Sequence, residues 1–372
     1  MDVSVSKFDL LRELQLTQGV VERKTTIPIL SNLLLEADGE KLQISATDLE
    51  LGIKTTLPAK VKKGGSATVS ARRLFEIARN LPDAEIKMKE LDNHWIDLRC
   101  ERSKFKLVGM SRENFPVLAE FPKPLVKIPA AVLSVLIEKS IFAIAAEESR
   151  YMLNGSLMIL KPDSVSMVAT DGTRLAHIQT EHELKGLKDE VKILVPKKAL
   201  SEIDRLLKEE GEKAVVEFAR DDAHLFFKVG KRLLLSRMMT GQFPNYEAVM
   251  PRGNKNIVVI DREALTGAIR RADLVADQRS HAVRISLSND KCEISASSAE
   301  FGEAQEEIIP SKPYKGDTLQ IGFNAQYVLD FLGVAAAGPI SVEFKDEQSA
   351  GQMRPLAQED YDYRYIVMPM RL

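Results

Sequence analysis

Aromatic residues are scarce in this 372-residue chain, at 6% of positions, and tryptophan occurs once. Its two cysteines, Cys100 and Cys292, stand alone and build neither a disulfide framework nor a CxxC motif, so a reducing compartment is the simplest reading. The five histidines are scattered, and His182-Glu183-Leu184-Lys185 lacks the second histidine of a zinc-protease helix. No G-x-S-x-G elbow occurs. Gly333 to Gly338 has phosphate-loop spacing, but Pro339 and Ile340 stand where a lysine and a hydroxyl residue are required. No catalytic residue, metal or other cofactor is therefore expected. No apolar run approaches about 18 residues, and Met1 to Val5 is not a basic stretch leading into an apolar one. A cytoplasmic protein without membrane contact is the expectation. The net charge of −2 advertises no nucleic acid globally, which leaves a local basic patch open.

What is present is an ordinary globular composition, 44% apolar and 28% charged, on a chain long enough for roughly two to four cores. The most organised stretch is Val168-Ala169-Thr170-Asp171-Gly172-Thr173-Arg174-Leu175, where an alternating run ends in an Asp-Gly bend. Ala46-Thr47-Asp48 echoes it earlier, and Ile294-Ser295-Ala296-Ser297-Ser298 later.

The flanking elements recur with it. In the first third, Phe8, Leu11 and Leu14 follow Ser6, a candidate N-cap. Asp38-Gly39 turns one apolar run into Leu42 and Ile44, and a strand runs from Leu51 to Leu57. Ser70 caps a helix marked by Leu74, Ile77, Ala78 and Leu81, ended by Pro82. Three strands follow, ending at Asn114-Phe115-Pro116. The middle third repeats the order: a helical stripe Leu133 to Ile144, a hairpin across Pro162-Asp163, a helix on Leu200, Ile203 and Leu207, three strands, then Phe243-Pro244-Asn245-Tyr246. The last third has a helix on Leu265, Ala268, Ile269 and Ala272, a hairpin turning at Asn289-Asp290, a helix capped by Asn324, and closing strands to Met368. Each unit spans about 125 residues, so the reading is α+β: three similar domains, 1–122, 123–252 and 253–372, each with two helices on antiparallel sheets. The bland reading of Asp171 is a turn residue bonding nearby amides, against an acid–base role with Arg174.

Ile27-Pro28-Ile29-Leu30-Ser31-Asn32, Ala46-Thr47-Asp48-Leu49-Glu50, Arg150 to Gly155, Ala169 to Ala176, Phe243 to Tyr246 and Tyr365 to Leu372 together resemble the bacterial DNA sliding clamp, the beta subunit of DNA polymerase III. The resemblance runs the whole chain in order. It implies a head-to-tail homodimer that closes six domains into a ring, sheets outside and helices lining a hole for duplex DNA. The implied dimer contacts are Phe105 and Leu107 on one side, Leu274 and Val275 on the other. The implied DNA-facing residues are Lys24, Arg72, Arg150, Tyr151 and Lys198, joined more weakly by Arg12, Arg205, Arg270 and Arg271, all acting without base readout. Lys24 stands where many relatives have arginine.

The resemblance also implies a pocket for short linear motifs of the replicative polymerase, the clamp loader and repair proteins. It maps to Leu153, Thr170, Gly172, Thr173, Arg174, Leu175, Pro244, Val249, Ile366, Val367, Met368, Pro369, Met370, Arg371 and Leu372. Methionine walls suit varied ligands. Two departures mark the pocket: Glu247 and Ala248 stand where many relatives are basic, and Thr173 stands where histidine is common. On the residues alone, a peptide-binding scaffold that does not encircle DNA, and an enzyme of unrecognised class using Asp171 and Arg174, stay open.

Overall fold

The computed structural model describes residues 1–22, 25–146, 148–288, 291–357 and 359–371, and for residues 148–150 the backbone only. Among them are six α-helices: α1 (Lys7–Thr17), α2 (Ala71–Asn80), α3 (Ala130–Glu138), α4 (Lys197–Glu210), α5 (Arg262–Asp273) and α6 (Ala325–Val334). Each is launched directly from the last residue of a strand. Four have a side-chain cap there. Ser6 accepts from Asp9 N, Ser70 from Arg73 N, Asp261 from the amides of Glu263 and Ala264, and Asn324 from Tyr327 N. In the middle third, Pro129 and Pro196 hold the launching position instead.

All four sheets are antiparallel. The chain forms two compact units. The first comprises residues 1–134 and 198–238, the second residues 135–197 and 239–372. The first unit holds a five-stranded sheet, in the order Lys60–Lys63, Asp2–Ser6, Glu85–Glu90, Ile96–Cys100, Ser103–Leu107. It also holds an eight-stranded sheet running Val126–Pro129, Val215–Arg220, His224–Val229, Arg232–Arg237, Leu51–Pro58, Lys41–Thr47, Asn32–Asp38, Gly65–Ser70. Four of those strands come from the first repeat and four from the second. They meet where Leu234 pairs with Ile53 and Leu235 with Gly52.

The second unit repeats the device. Its eight-stranded sheet runs Val191–Pro196, Gly155–Leu160, Ser164–Thr170, Arg174–Glu181, Tyr361–Val367, Gly351–Pro355, Pro339–Phe344, Asn256–Asp261, with Leu175 paired to Ile366 at the junction. A four-stranded sheet completes it: Gly302–Ile308, Lys291–Ser298, Ala282–Ser288, Leu319–Asn324. The two units thus divide the middle repeat, because each long sheet spans a repeat boundary.

Several expectations need correction. Phe8 is exposed, and α1 buries Leu10 and Leu14, so the apolar stripe lies two positions from where Phe8 suggested. In the first hairpin Asp38 pairs with Lys41, so the turn pair is Gly39-Glu40 and only Gly39 has positive φ, at 55°. The stripe Leu133 to Ile144 is not one helix: α3 ends at Glu138 and a single turn, Ile141–Ala143, stands apart. Nine strands escaped the pattern reading, among them Asp2–Ser6, Arg174–Glu181 and Gly302–Ile308. The Asn289-Asp290 turn lies outside the described residues.

Inside the first unit, Arg232 on the second repeat reaches Glu13 on α1 with two bonds, 2.9 and 2.7 Å, and Glu210 with a third of 2.8 Å. Thr55 donates to the same Glu13 carboxylate at 2.5 Å. Burial works against the guanidinium charge, but Glu13 and Glu210 outweigh it and raise the Arg232 pKa. Removing one member strands a buried charge. Arg232→Met is therefore expected to destabilise the first unit by about 3–5 kcal/mol, read as an earlier transition in chemical denaturation. A loss below about 1 kcal/mol, the range of a surface pair, would count against this reading.

Candidate functional site

The Asp171 bend is built almost wholly from its own polar groups. Thr170 Oγ1 donates to Arg174 O at 2.6 Å and accepts from Gly172 N at 3.0 Å. Asp171 Oδ1 accepts from the amides of Thr173 and Arg174, at 2.9 and 3.0 Å, and from the Thr173 hydroxyl at 2.6 Å. Gly172 takes φ of 92°, where a side chain is strained. Burial pushes the Asp171 carboxyl pKa up, but these donors outweigh burial and hold it below its ordinary value. A carboxylate so committed serves as a turn brace.

The first repeat carries the same bend. Thr47 Oγ1 donates to Leu51 O at 2.8 Å, and Asp48 Oδ1 accepts from the amides of Glu50 and Leu51 at 2.9 and 2.6 Å. Leu49 holds the position of Gly172, at φ 78°. The third echo differs: Ser298 pairs with Gly302, leaving three residues in the bend rather than four, and no aspartate follows.

Arg174 leaves the bend and crosses to other elements of its unit. Its Nε meets Asp171 Oδ2 at 3.0 Å, Nη1 meets Asp330 on α6 at 2.5 Å, and Nη2 donates to Phe142 O at 2.8 Å. Its guanidinium lies 4.3 Å from the Tyr327 ring centre and 5.6 Å from that of Phe142. Burial disfavours its charge, yet Tyr365, Asp330 and Asp171 outweigh that and raise its pKa. One side chain thus ties the bend to α6 and to the Ile141–Ala143 turn.

Beside the bend is an apolar cavity of about 130 Å³. Ten of the residues assigned to a pocket from sequence line it: Leu153, Thr170, Gly172, Thr173, Arg174, Leu175, Pro244, Val249, Ile366 and Met368. Two lining residues, Asn245 and Tyr246, were missed, although the Phe243 to Tyr246 string pointed at them. Val367 is buried on the opposite side of its strand, as the period of two requires. Pro369 is not among the lining residues, and Met370 and Arg371 line a different, polar depression with Arg284 and Glu293. Met370 N donates to Gly322 O at 2.8 Å, which fixes the tail. Leu372 lies outside the described residues. Tyr246 stacks on His177, ring centres 5.7 Å apart. Burial lowers the His177 pKa, and its Nδ1 has no hydrogen-bond partner.

The other assigned residues are dispersed. Arg72 is exposed and paired with Glu76 at 2.7 Å. Lys198 is half-exposed and bonded to Asp48. Tyr151 is exposed on the turn Glu148–Leu153. Lys24, and the side chain of Arg150, lie outside what is described. Arg12 pairs with Glu209, Arg205 with Glu202 and Arg271 with Glu306, while Arg270 is exposed. Phe105 and Leu107 sit on the edge strand Ser103–Leu107, and Leu274 and Val275 follow α5. Phe105 and Leu274 are exposed, Leu107 and Val275 half-buried. Among the described residues no group of three or more His, Cys, Asp or Glu is placed to hold a metal. No helix is long and apolar enough to cross a membrane.

Comparison with known proteins places the chain in a single family. Residues 1–119, 127–245 and 247–371 match the N-terminal, central and C-terminal domains of the DNA polymerase III beta subunit. The beta sliding clamp of Pseudomonas putida is 34% identical over the full length of both chains. A crystallised DnaN sliding clamp from Pseudomonas aeruginosa, bound to griselimycin, superposes with TM-score 0.93 at 34% identity, covering all of both chains. The Bacillus subtilis clamp also gives 0.93, at 25% identity, covering 100% of this chain and 99% of that one.

Leu49 shows that this bend accommodates a leucine where the second copy has Gly172. Gly172→Leu is accordingly expected to fold with a loss of about 1–2 kcal/mol, the cost of one strained residue, while its side chain fills the cavity. Thermal unfolding and a crystal structure of the variant check both. A variant that unfolds at ambient temperature would refute the equivalence of the two bends.

Proposed function

This chain belongs to the DNA polymerase III beta subunit family, the beta sliding clamps, and we propose that two copies close head to tail around duplex DNA, with the cavity beside Gly172 taking short peptide segments of partners. Its role is that of a processivity clamp in DNA replication. It is not an enzyme: it keeps the polymerase on DNA and does no chemistry of its own. The fold is three clamp domains, for which we take the limits 1–122, 123–252 and 253–372.

The observation that carries the ring is a pair of unmatched edges. Twice within the chain, the strand after a bend pairs with the last strand of the following repeat, at Ile53–Leu234 and at Leu175–Ile366. A third pairing of that kind has both halves present but no mate. Gly302–Ile308 follows the third bend and is a sheet edge, and Ser103–Leu107 ends the first repeat and is also an edge. Their charges are complementary. Lys104 and Lys106 are exposed on one, Glu303 and Glu307 on the other. A second copy satisfies both edges at once, because the contact is heterologous and closes when each chain supplies one edge of each kind. Phe105, Leu107, Leu274 and Val275 then lie at the seam.

DNA would meet helix-borne cations rather than base-reading groups. Most are tempered: Arg12, Arg72, Arg205 and Arg271 each have a glutamate partner, and Lys198 has Asp48. Tyr151, Lys24 and Arg150 complete the set by resemblance. Such contacts are sequence-independent and weak, as movement along the duplex requires. The cavity is apolar, with Met368 as an adaptable wall. Burying a leucine or phenylalanine anchor contributes about 1.5–3 kcal/mol, so two or three anchors give roughly micromolar affinity after ordering costs. The replicative polymerase, the clamp loader and repair proteins could then exchange on one site.

Sedimentation is expected to give a dimer of the 41.5 kDa chain, and Leu274→Asp a monomer with unchanged melting. Loaded protein should stay on nicked circular DNA and leave once the DNA is linearised. A monomeric wild type, or equal loss from both DNAs, sinks the ring. Deleting Met370 to Leu372, which releases the tail anchored at Gly322, should weaken peptide binding at least tenfold and leave the dimer intact. Unchanged peptide affinity would show that the tail plays no part in the site.

A further inference from the structure

Among the charged groups around the cavity, one carboxylate stands uncommitted. Glu247 is exposed in the single turn Tyr246–Ala248, and the residues on either side of it, Tyr246 and Val249, both line the cavity. The turn is pinned by Ala248 N to Asn245 O at 3.3 Å and by Val249 N to Tyr246 O at 3.2 Å. Its neighbours are already taken. Arg174 is held between two carboxylates, Asp171 and Asp330. Lys161 and Lys192 share Glu190, at 3.6 and 2.8 Å. Arg364 and Arg354 share Asp362, at 2.9 and 3.6 Å. Glu247 has neither a salt bridge nor a hydrogen bond to its side chain among the described residues, and Lys192, already bonded to Glu190, feels only its charge. Its field reaches the cavity wall: burial raises the Tyr246 pKa, and Glu247 adds to that.

Resting on the reading of the cavity as a peptide site, we propose that Glu247 makes it select peptides with a lysine or arginine beside their apolar anchors. An incoming cation finds a carboxylate that need not be pulled from another partner, whereas an incoming carboxylate meets like charge. Both groups stay in contact with water, so the preference is modest and screened by salt.

Two fluorescein-labelled hexapeptides test this, each with a leucine and a phenylalanine anchor and differing only in the residue between them, lysine or aspartate. In polarisation titrations of the intact protein at low salt, the lysine peptide should bind about 3-fold more tightly, with the gap closing near 0.5 M salt, where the screening length shrinks to about 4 Å. Glu247→Lys should reverse the order, and Glu247→Gln should erase it. Equal affinities in wild type and both variants, or a wild-type preference for aspartate, overturn the proposal and leave the peptide site standing. Binding of neither peptide, with the dimer intact, overturns the peptide site itself.

Discussion

A β-strand with an open side carries a row of amide and carbonyl groups that must find partners, and this requirement governs the chain at every scale. Each repeat folds into two half-sheets. Neither long sheet is complete within a repeat, and each reaches eight strands only by borrowing four from the next. The repeats are consequently not beads on a string. Their boundaries are ladders such as Leu233–Lys54 to Ser236–Leu51, reinforced in the first unit by the buried Glu13–Arg232 pair. The two half-sheets left over belong to the first and last repeats, and the ring proposed above applies to them the same chemistry that joins the repeats.

One local motif occurs in two settings. The Thr-Asp bend delivers the chain into the junction strand, and it does so equally in the first and second repeats. Only the second copy pairs it with Gly172, which has no side chain to fill the neighbouring space, and with Arg174, which braces the bend against Asp330 and Phe142. In the first copy Leu49 and Leu51 stand at those two positions. The two copies share the threonine and aspartate bonds to backbone and differ in the three side chains that follow the aspartate.

Much of this was legible in the sequence. The six helices announced themselves through caps and apolar spacing, because Ser6, Ser70 and Asn324 are local signals. Most of the cavity residues followed from resemblance. What escaped was set by tertiary context. Gly302–Ile308 has glutamates facing water and no clean alternation, so only its ladder to Lys291–Ser298 reveals it as a strand. Strands Gly155–Leu160 and Ser164–Thr170 are legible as a hairpin from Leu157, Ile159, Val165 and Met167, but they are buried throughout, and alternation does not report that both faces are covered. Met370 and Arg371 are turned away from the cavity where Met370 bridges to Gly322, a contact that no sequence pattern encodes.

Those doubly covered strands have a consequence for how the cavity yields. Leu157, Ile159 and Val168 lie under Phe243, Tyr246 and Met250, in the middle of an eight-stranded ladder. Their amides can exchange hydrogen with solvent only when the sheet itself opens. The opposite rim, at Val249 and Met368, is half-exposed and held by one short turn and a strand end. The cavity thus lies between a firmly laddered core, on which its Tyr246 packs, and a rim held by little backbone. On the proposed reading of the cavity as a peptide site, differences in ligand shape would fall on this rim rather than on the sheet.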